Sequence, residues 1–194
     1  MNREYTFALV GSEGVGKTCM LTRFTTGEFI KEHVHTATNT ACIRVNTTIG
    51  NIILNVVELR VPTLPVCDGV IVMFDLTDTN TFYSSIGMVD HIRANYPNLP
   101  IVWVGNKTDV RGRKVKPALI DTYNKLSVPY FDCSSRSNYQ LERPFRTLLR
   151  KVCNNHSLLF IVNEPIAPPE VQIDADLLAR IEAEMASALT GLAG

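Results

Sequence analysis

Gly11, Gly16, Lys17 and Thr18 stand at the spacing G-x-x-x-x-G-K-T within "GSEGVGKT" (11–18). Those residue types in that order suit the holding of a polyphosphate. Glycines let successive backbone N–H groups turn inward around a β-phosphate, Lys17 adds a mobile cation, and the Thr18 hydroxyl is a ligand type for Mg²⁺. One member is out of character: Glu13 puts a carboxylate into a loop that should receive an anion. It can turn outward to solvent or pair with a cation such as Arg60, and the sequence leaves both open, with a solvated arginine the commoner outcome.

A second group lies far downstream. "NKTD" (106–109) closes the apolar run "PIVWVGN" (100–106), and ligands of α/β folds gather at the carboxyl ends of their strands. The Asp109 carboxylate can accept two hydrogen bonds, from N1–H and the exocyclic amine of guanine, which adenine does not offer. "CSSRS" (133–137) follows the last short strand and can bring the Ser135 N–H to the base oxygen. Phe29 and Thr36 sit on the loop after the first helix. Phe29 can flank a base or make an ordinary core contact; the Thr36 hydroxyl can ligate Mg²⁺.

The elements needed to position these groups are present in order. "EYTFALV" (4–10) reads as a buried strand and "KTCMLTRFTTG" (17–27) as a helix whose N-terminus adds its dipole to the phosphate site. "TACIRVN" (40–46) and "NIILNVVEL" (51–59) read as an antiparallel hairpin. "GVIVMFDLT" (69–77) and 100–106 are near-continuous apolar runs, the mark of parallel strands covered on both faces. Helices are predicted over 80–95, 115–126 and 141–153, with a short strand over 129–133. Alternation of this kind predicts one α/β domain with helices on both sides of a mainly parallel sheet.

Composition excludes several classes. The chain has 194 residues, about one domain, and Lys+Arg and Asp+Glu both count 19, so no global field points to nucleic acid or membrane. Cysteines 19, 42, 67, 133 and 153 form no CxxC pair and suit reduced thiols. No apolar run approaches the roughly 20 residues that span a bilayer, and neither a signal-peptide core nor a C-terminal prenylation cysteine is expected from the ends. His33 and His35 lack nearby ligand partners, and "RGRKVK" (111–116) reads as a solvated basic face.

Taken together, these motifs resemble the small GTPases of the Ras superfamily, and the Ran family most of all. "TGEF" (26–29), "VMFD" (72–75), "GNKTD" (105–109), "RKVK" (113–116), "SNY" (137–139), "RPF" (143–145) and "IAPPEV" (166–171) carry the resemblance. The A-P-P-E-V segment leads, in that family, into a separate C-terminal helix. Here Ile173, Leu177, Ile181, Met185 and Leu189 recur every four residues as one apolar stripe. The resemblance implies GTP or GDP and Mg²⁺ as ligands. Gly11, Glu13, Gly14, Val15, Gly16, Lys17, Thr18, Cys19 and Thr36 would line the phosphates. Phe29, Asn106, Lys107, Asp109, Ser134, Ser135 and Arg136 would hold the guanine. Thr18, Thr36 and Glu58 would serve the metal. It further implies importin-type transport receptors and an exchange factor as partners, nuclear and cytoplasmic residence, and a monomer.

Departures from the family pattern bear on activity. The family places D-T-A-G-Q-E after its third strand, for the Mg²⁺ shell, the γ-phosphate and the attacking water. Here that strand ends "NVVELRVPTLPVCDGV", with Glu58 in the Asp position, no matching Gly or Gln, and Pro62 and Pro65 against the helix that normally follows. Glu13 replaces a loop glycine. Where the family has a basic cluster the helix after "RKVK" offers only Lys125, and the acidic tail that pairs with it is not expected here. The sequence therefore predicts a P-loop α/β domain over 1–156, with a mainly parallel six-stranded sheet and one antiparallel edge strand. An extended linker (157–173) and a C-terminal helix (174–190) follow. Slow or absent hydrolysis is expected; a non-switching scaffold and, less favoured, an ATP-binding P-loop protein remain as alternatives.

Overall fold

The computed structural model describes residues 3–26, 40–60, 63–124, 128–161 and 174–190. Six strands form one sheet in the order β2-β3-β1-β4-β5-β6. They are β1 (Arg3–Val10), β2 (Thr40–Thr47), β3 (Gly50–Leu59), β4 (Gly69–Asp75), β5 (Ile101–Asn106) and β6 (Tyr130–Asp132). Only the β2–β3 hairpin is antiparallel; β1 runs parallel to both β3 and β4, and β4, β5 and β6 continue in parallel. The helices are α1 (Lys17–Thr26), α2 (Thr79–Asn95), α3 (Pro117–Tyr123), α4 (Glu142–Val152) and α5 (Ala175–Thr190). This is the fold class that the sequence predicts, a Ras-like P-loop α/β sandwich.

Strand alternation divides the interior into two cores. Phe7, Leu9, Ile71, Met73, Val102 and Val104 face Met20 and Leu21 of α1 and Phe145, Leu148 and Leu149 of α4. Ala8, Val10, Val70, Val72, Phe74 and Trp103 face Phe82, Val89 and Ile92 of α2 and Ile120 of α3. Strands β4 and β5 are buried along their whole length, as their unbroken apolar runs require. The parallel strands thus deliver their carboxyl ends, at Val10, Leu59, Asp75 and Asn106, to one edge of the sheet.

Local chemistry moves several boundaries. Strand β4 stops at Asp75, because Asp75 Oδ1 accepts from both the N–H and the hydroxyl of Thr77 and curls the chain out of the sheet. Helix α3 starts at Pro117 rather than near 115, since the Val115 N–H is spent on the Leu76 carbonyl and Pro117 sets the first helical turn. Residues 63–68 contain no helix. Arg113, read from sequence as part of a solvated face, is instead mostly buried and bonded to Asp132 at the end of β6.

Helix α5 packs on α3, with Ile181 buried and Leu177 and Leu178 half-buried. Arg111 reaches its first turn and pairs with Asp174 at 3.0 Å. The apolar stripe therefore does find the domain surface through Leu177 and Ile181; Ile173 and residues 162–173 of the linker expected over 157–173 lie outside what is described. Among the described residues, no helix is long and apolar enough to cross a membrane.

Candidate nucleotide site

The loop between β1 and α1 is shaped by close approaches. Gly14 and Gly16 take φ of +78° and +96°, which L side chains rarely adopt. A Cβ at Gly16 would also collide with the Asn106 amide nitrogen, and one at Gly11 with the Met73 carbonyl. The loop lies tightly against β4 and β5 and has no room for side chains at those two points. Val15 is buried beneath it, and Cys19, half-buried one turn into α1, has its thiol pushed up by burial.

Lys17 is buried and folds back over the loop, donating to the carbonyls of Gly11 at 2.8 Å and Ser12 at 2.9 Å. Burial pulls its ammonium below the ordinary value; Glu58 pushes it back up, and Arg60 and Glu13 act more weakly with opposite signs. Glu58 arrives from the neighbouring strand, where the register sets it beside Leu9. The Thr18 hydroxyl lies 3.0 and 2.8 Å from the two Glu58 oxygens, one of which is 4.0 Å from Lys17 Nζ. A hydroxyl and a carboxylate side by side form an all-oxygen edge of the kind a hard divalent cation takes. The residues present thus fit Mg²⁺, with Thr18 and Glu58 the ones that would hold it. Thr36, the third expected ligand, and Phe29 lie outside the described residues, as do His33 and His35. Among the described residues no cluster of three or more His, Cys, Asp or Glu could hold a metal by itself.

Glu13 is paired with Arg60, Nη1 to Oε2 at 3.5 Å, and both side chains stay more than half exposed. The sequence leaned toward a solvated Arg60. The β1–β3 register explains the pairing: Val10 lies opposite Leu59, so the next residue of β3's chain emerges at the loop.

Asn106 braces the whole edge. Its amide donates to the Val15 carbonyl at 2.9 Å, and its oxygen accepts from the Ser135 N–H at 3.1 Å and hydroxyl at 3.3 Å. The Ser135 N–H, expected at a base oxygen, is thus committed to Asn106, as a buried donor must be to something. Asp109 Oδ1 accepts from the buried Ser134 hydroxyl at 2.6 Å, which fixes the carboxylate and leaves it partly exposed. Lys107 has a left-handed backbone, φ +69°, and its ammonium pairs with Asp75 at 2.6 Å. Arg136 is exposed.

Three features bring one ligand class into focus: a glycine loop with a buried lysine, an oxygen edge for a divalent ion, and a fixed carboxylate on the adjacent strand end. A model of the Ras family matches residues 6–154. The chain belongs to the Ras family. Ras-family proteins are small GTPases that bind GTP or GDP and generally Mg²⁺, and this chain is a GTP-binding small GTPase in that general sense.

Asp75 is the site residue that sequence reading overlooked. Its signal was there: an aspartate ending a buried strand with a threonine two residues on is an Asx-turn signature. Its service to Lys107 had no such mark.

Proposed function

We propose that this Ras-family chain is a Ran-like guanine-nucleotide-binding protein with slow intrinsic hydrolysis, in which Asp109 selects guanine and Lys17, Thr18 and Glu58 serve phosphate and Mg²⁺. The observation that carries the reading is the Ser134–Asp109 pair beside the Asn106 brace, which leaves an oriented carboxylate at the end of β5. Support for the Ran-like part comes from "IAPPEV" and from helix α5 docked on α3. On this reading the partners are importin-type receptors and an exchange factor, met in nucleus and cytoplasm. Contacts that depend on the second switch would be weakened.

Hydrolysis is expected to be slow because phosphoryl transfer needs an oriented water and donors aimed at developing charge. Residues 60–68 offer no Gln or Gly, and the chain from 63 to 68 has no helix to present one. Bound Mg²⁺ would supply charge neutralisation at the phosphates. The chain's own contribution is to bind, to orient and to keep Lys17 dry. The alternative reading, a non-switching scaffold, draws support from the Glu58 carboxylate, which already satisfies Thr18 and stands near Lys17.

Competition binding tests the base assignment. GDP should outcompete ADP by at least about a hundredfold, since a carboxylate deprived of both donors is left desolvated. Asp109→Asn should move preference toward xanthine nucleotides. Equal GDP and ADP affinity would remove the guanine reading. Single-turnover hydrolysis tests the rest: fast turnover without a partner would show that another group has replaced the missing glutamine.

A further inference from the structure

Residues 60–68 are all that joins β3 to β4, and Arg60 is the sole Lys or Arg among them. It stands where the chain leaves β3, beside the phosphate loop, with its guanidinium on Glu13. We propose that Arg60 is the γ-phosphate-reading residue of this site, held in reserve by Glu13, and that a nucleoside triphosphate draws it off that carboxylate. This rests on the guanine-nucleotide reading above and adds to it a means of telling triphosphate from diphosphate.

The two carboxylates at the loop do different work. Glu58 is turned inward, on Thr18 and near Lys17, whereas Glu13 lies on the outer lip with Arg60. Lys17, Arg60, Glu13 and Glu58 carry formal charges that cancel, and Lys17 feels all three of the others. A diphosphate can be met by Lys17 and the loop N–H groups, with Glu58 serving it only through Mg²⁺. The extra anionic group of a triphosphate adds charge that Lys17 has to share between two phosphates, and Arg60 is the further cation beside the loop.

The competition favours the ligand. The Glu13 and Arg60 side chains are 54% and 59% exposed, and ion pairs so open to water are weak. A guanidinium makes stronger, two-pronged hydrogen bonds to a phosphate, which has the matching oxygens. Since β3 is anchored in the ladder up to Leu59, Arg60 changes partner from a fixed point of the chain.

The test is a mutant cycle on the full chain with Mg²⁺, measuring affinities for GDP and a non-hydrolysable GTP analogue. Arg60→Ala should weaken the analogue about tenfold and GDP by no more than about twofold. Glu13→Gln should strengthen the analogue about fivefold by releasing Arg60, and that gain should vanish in the double variant. Equal losses for both nucleotides in Arg60→Ala would overturn the proposal. So would a Glu13→Gln gain that persists without Arg60, because Glu13 would then act by direct repulsion of phosphate. If the parent chain binds neither nucleotide, the guanine-nucleotide reading falls as well. If GDP binds and only the triphosphate ratio fails to respond, the Arg60 role alone falls.

Discussion

Asn106→Ala removes the side chain that ties the phosphate loop to the loops that would hold the base. Asn106 is 2% exposed, and its amide group serves the Val15 carbonyl on one side and Ser135 on the other. Truncation leaves a carbonyl and an N–H without partners at a site closed to bulk water. Each such group costs about 1–3 kcal/mol, so the unfolding free energy should drop by about 2–6 kcal/mol, toward the low end if a water enters the gap. For a chain of this size, at about 2–4 °C per kcal/mol, that is a fall in Tm of roughly 4–24 °C. Trp103, the single tryptophan, is buried in β5 and donates to Ser85 Oγ at 2.9 Å, so its fluorescence reports unfolding directly in a urea titration. Asn106→Asp keeps the acceptor for Ser135 but sets a carboxylate against the Val15 carbonyl, and should recover none of the loss at neutral pH. GDP affinity should fall in both variants. An Asn106→Ala protein within about 0.5 kcal/mol of the parent, with unchanged GDP affinity, would refute the brace.

Two further outcomes follow from the packing. Burial, with Asp132 adding to it, pushes the Cys133 thiol well above its ordinary 9.0. A raised acid keeps its proton in the fold after the unfolded chain has lost it, so stability is full below about pH 9 and falls as pH rises past it. Cys133→Ala should flatten part of that alkaline decline in urea titrations, leaving the share from Tyr130, which burial also raises well above 10.0; an unchanged decline would count against a buried, protonated Cys133. At the other end, Ile181→Asp should release α5 from α3 and let its helix open, so that trypsin cuts at Arg180, whose side chain is already exposed, while deletion of 172–194 should leave GDP affinity within a few-fold. A truncated chain that no longer folds would make α5 part of the core rather than an attached element.

What the sequence disclosed and what it withheld divide along physical lines. Strands β4 and β5 were legible because burial on both faces forces an unbroken apolar run, and the loop was legible because only glycine fits where Gly11 meets Met73 and Gly16 meets Asn106. Pairings between distant residues were less so. Lys107 with Asp75, Arg113 with Asp132 and Ser134 with Asp109 depend on strand order β4-β5-β6, which places the ends of neighbouring strands side by side. Composition gave no reason to expect Arg113 inside. The boundary at Asp75 was missed for a different reason: apolar character continues through Leu76, and only the side chain's turn back onto Thr77 ends the strand.

The carboxylates at the phosphate loop and the short β3–β4 connection are consistent with a single adjustment. A longer connection can fold a helix over the loop and place its own polar groups near the phosphates; residues 60–68, interrupted by prolines, leave that space to whatever reaches in from the ends of β3 and the loop itself. Glu58 reaches in by length. Its oxygens lie 2.8 and 3.0 Å from Thr18, and an aspartate at the same point of β3 would stand back by about one carbon–carbon bond, roughly 1.5 Å, beyond hydrogen-bonding range. Glu58→Asp should therefore restore a gap that one water fills between carboxylate and hydroxyl, and remove a partner near Lys17. If Glu58 holds Mg²⁺ directly, that substitution should raise the Mg²⁺ concentration needed for half-maximal GDP retention by about tenfold, read from the rate of nucleotide loss against free Mg²⁺. An unchanged Mg²⁺ requirement would mean that a water already stands between Glu58 and the ion, and that its direct contact with Thr18 belongs only to the protein without nucleotide.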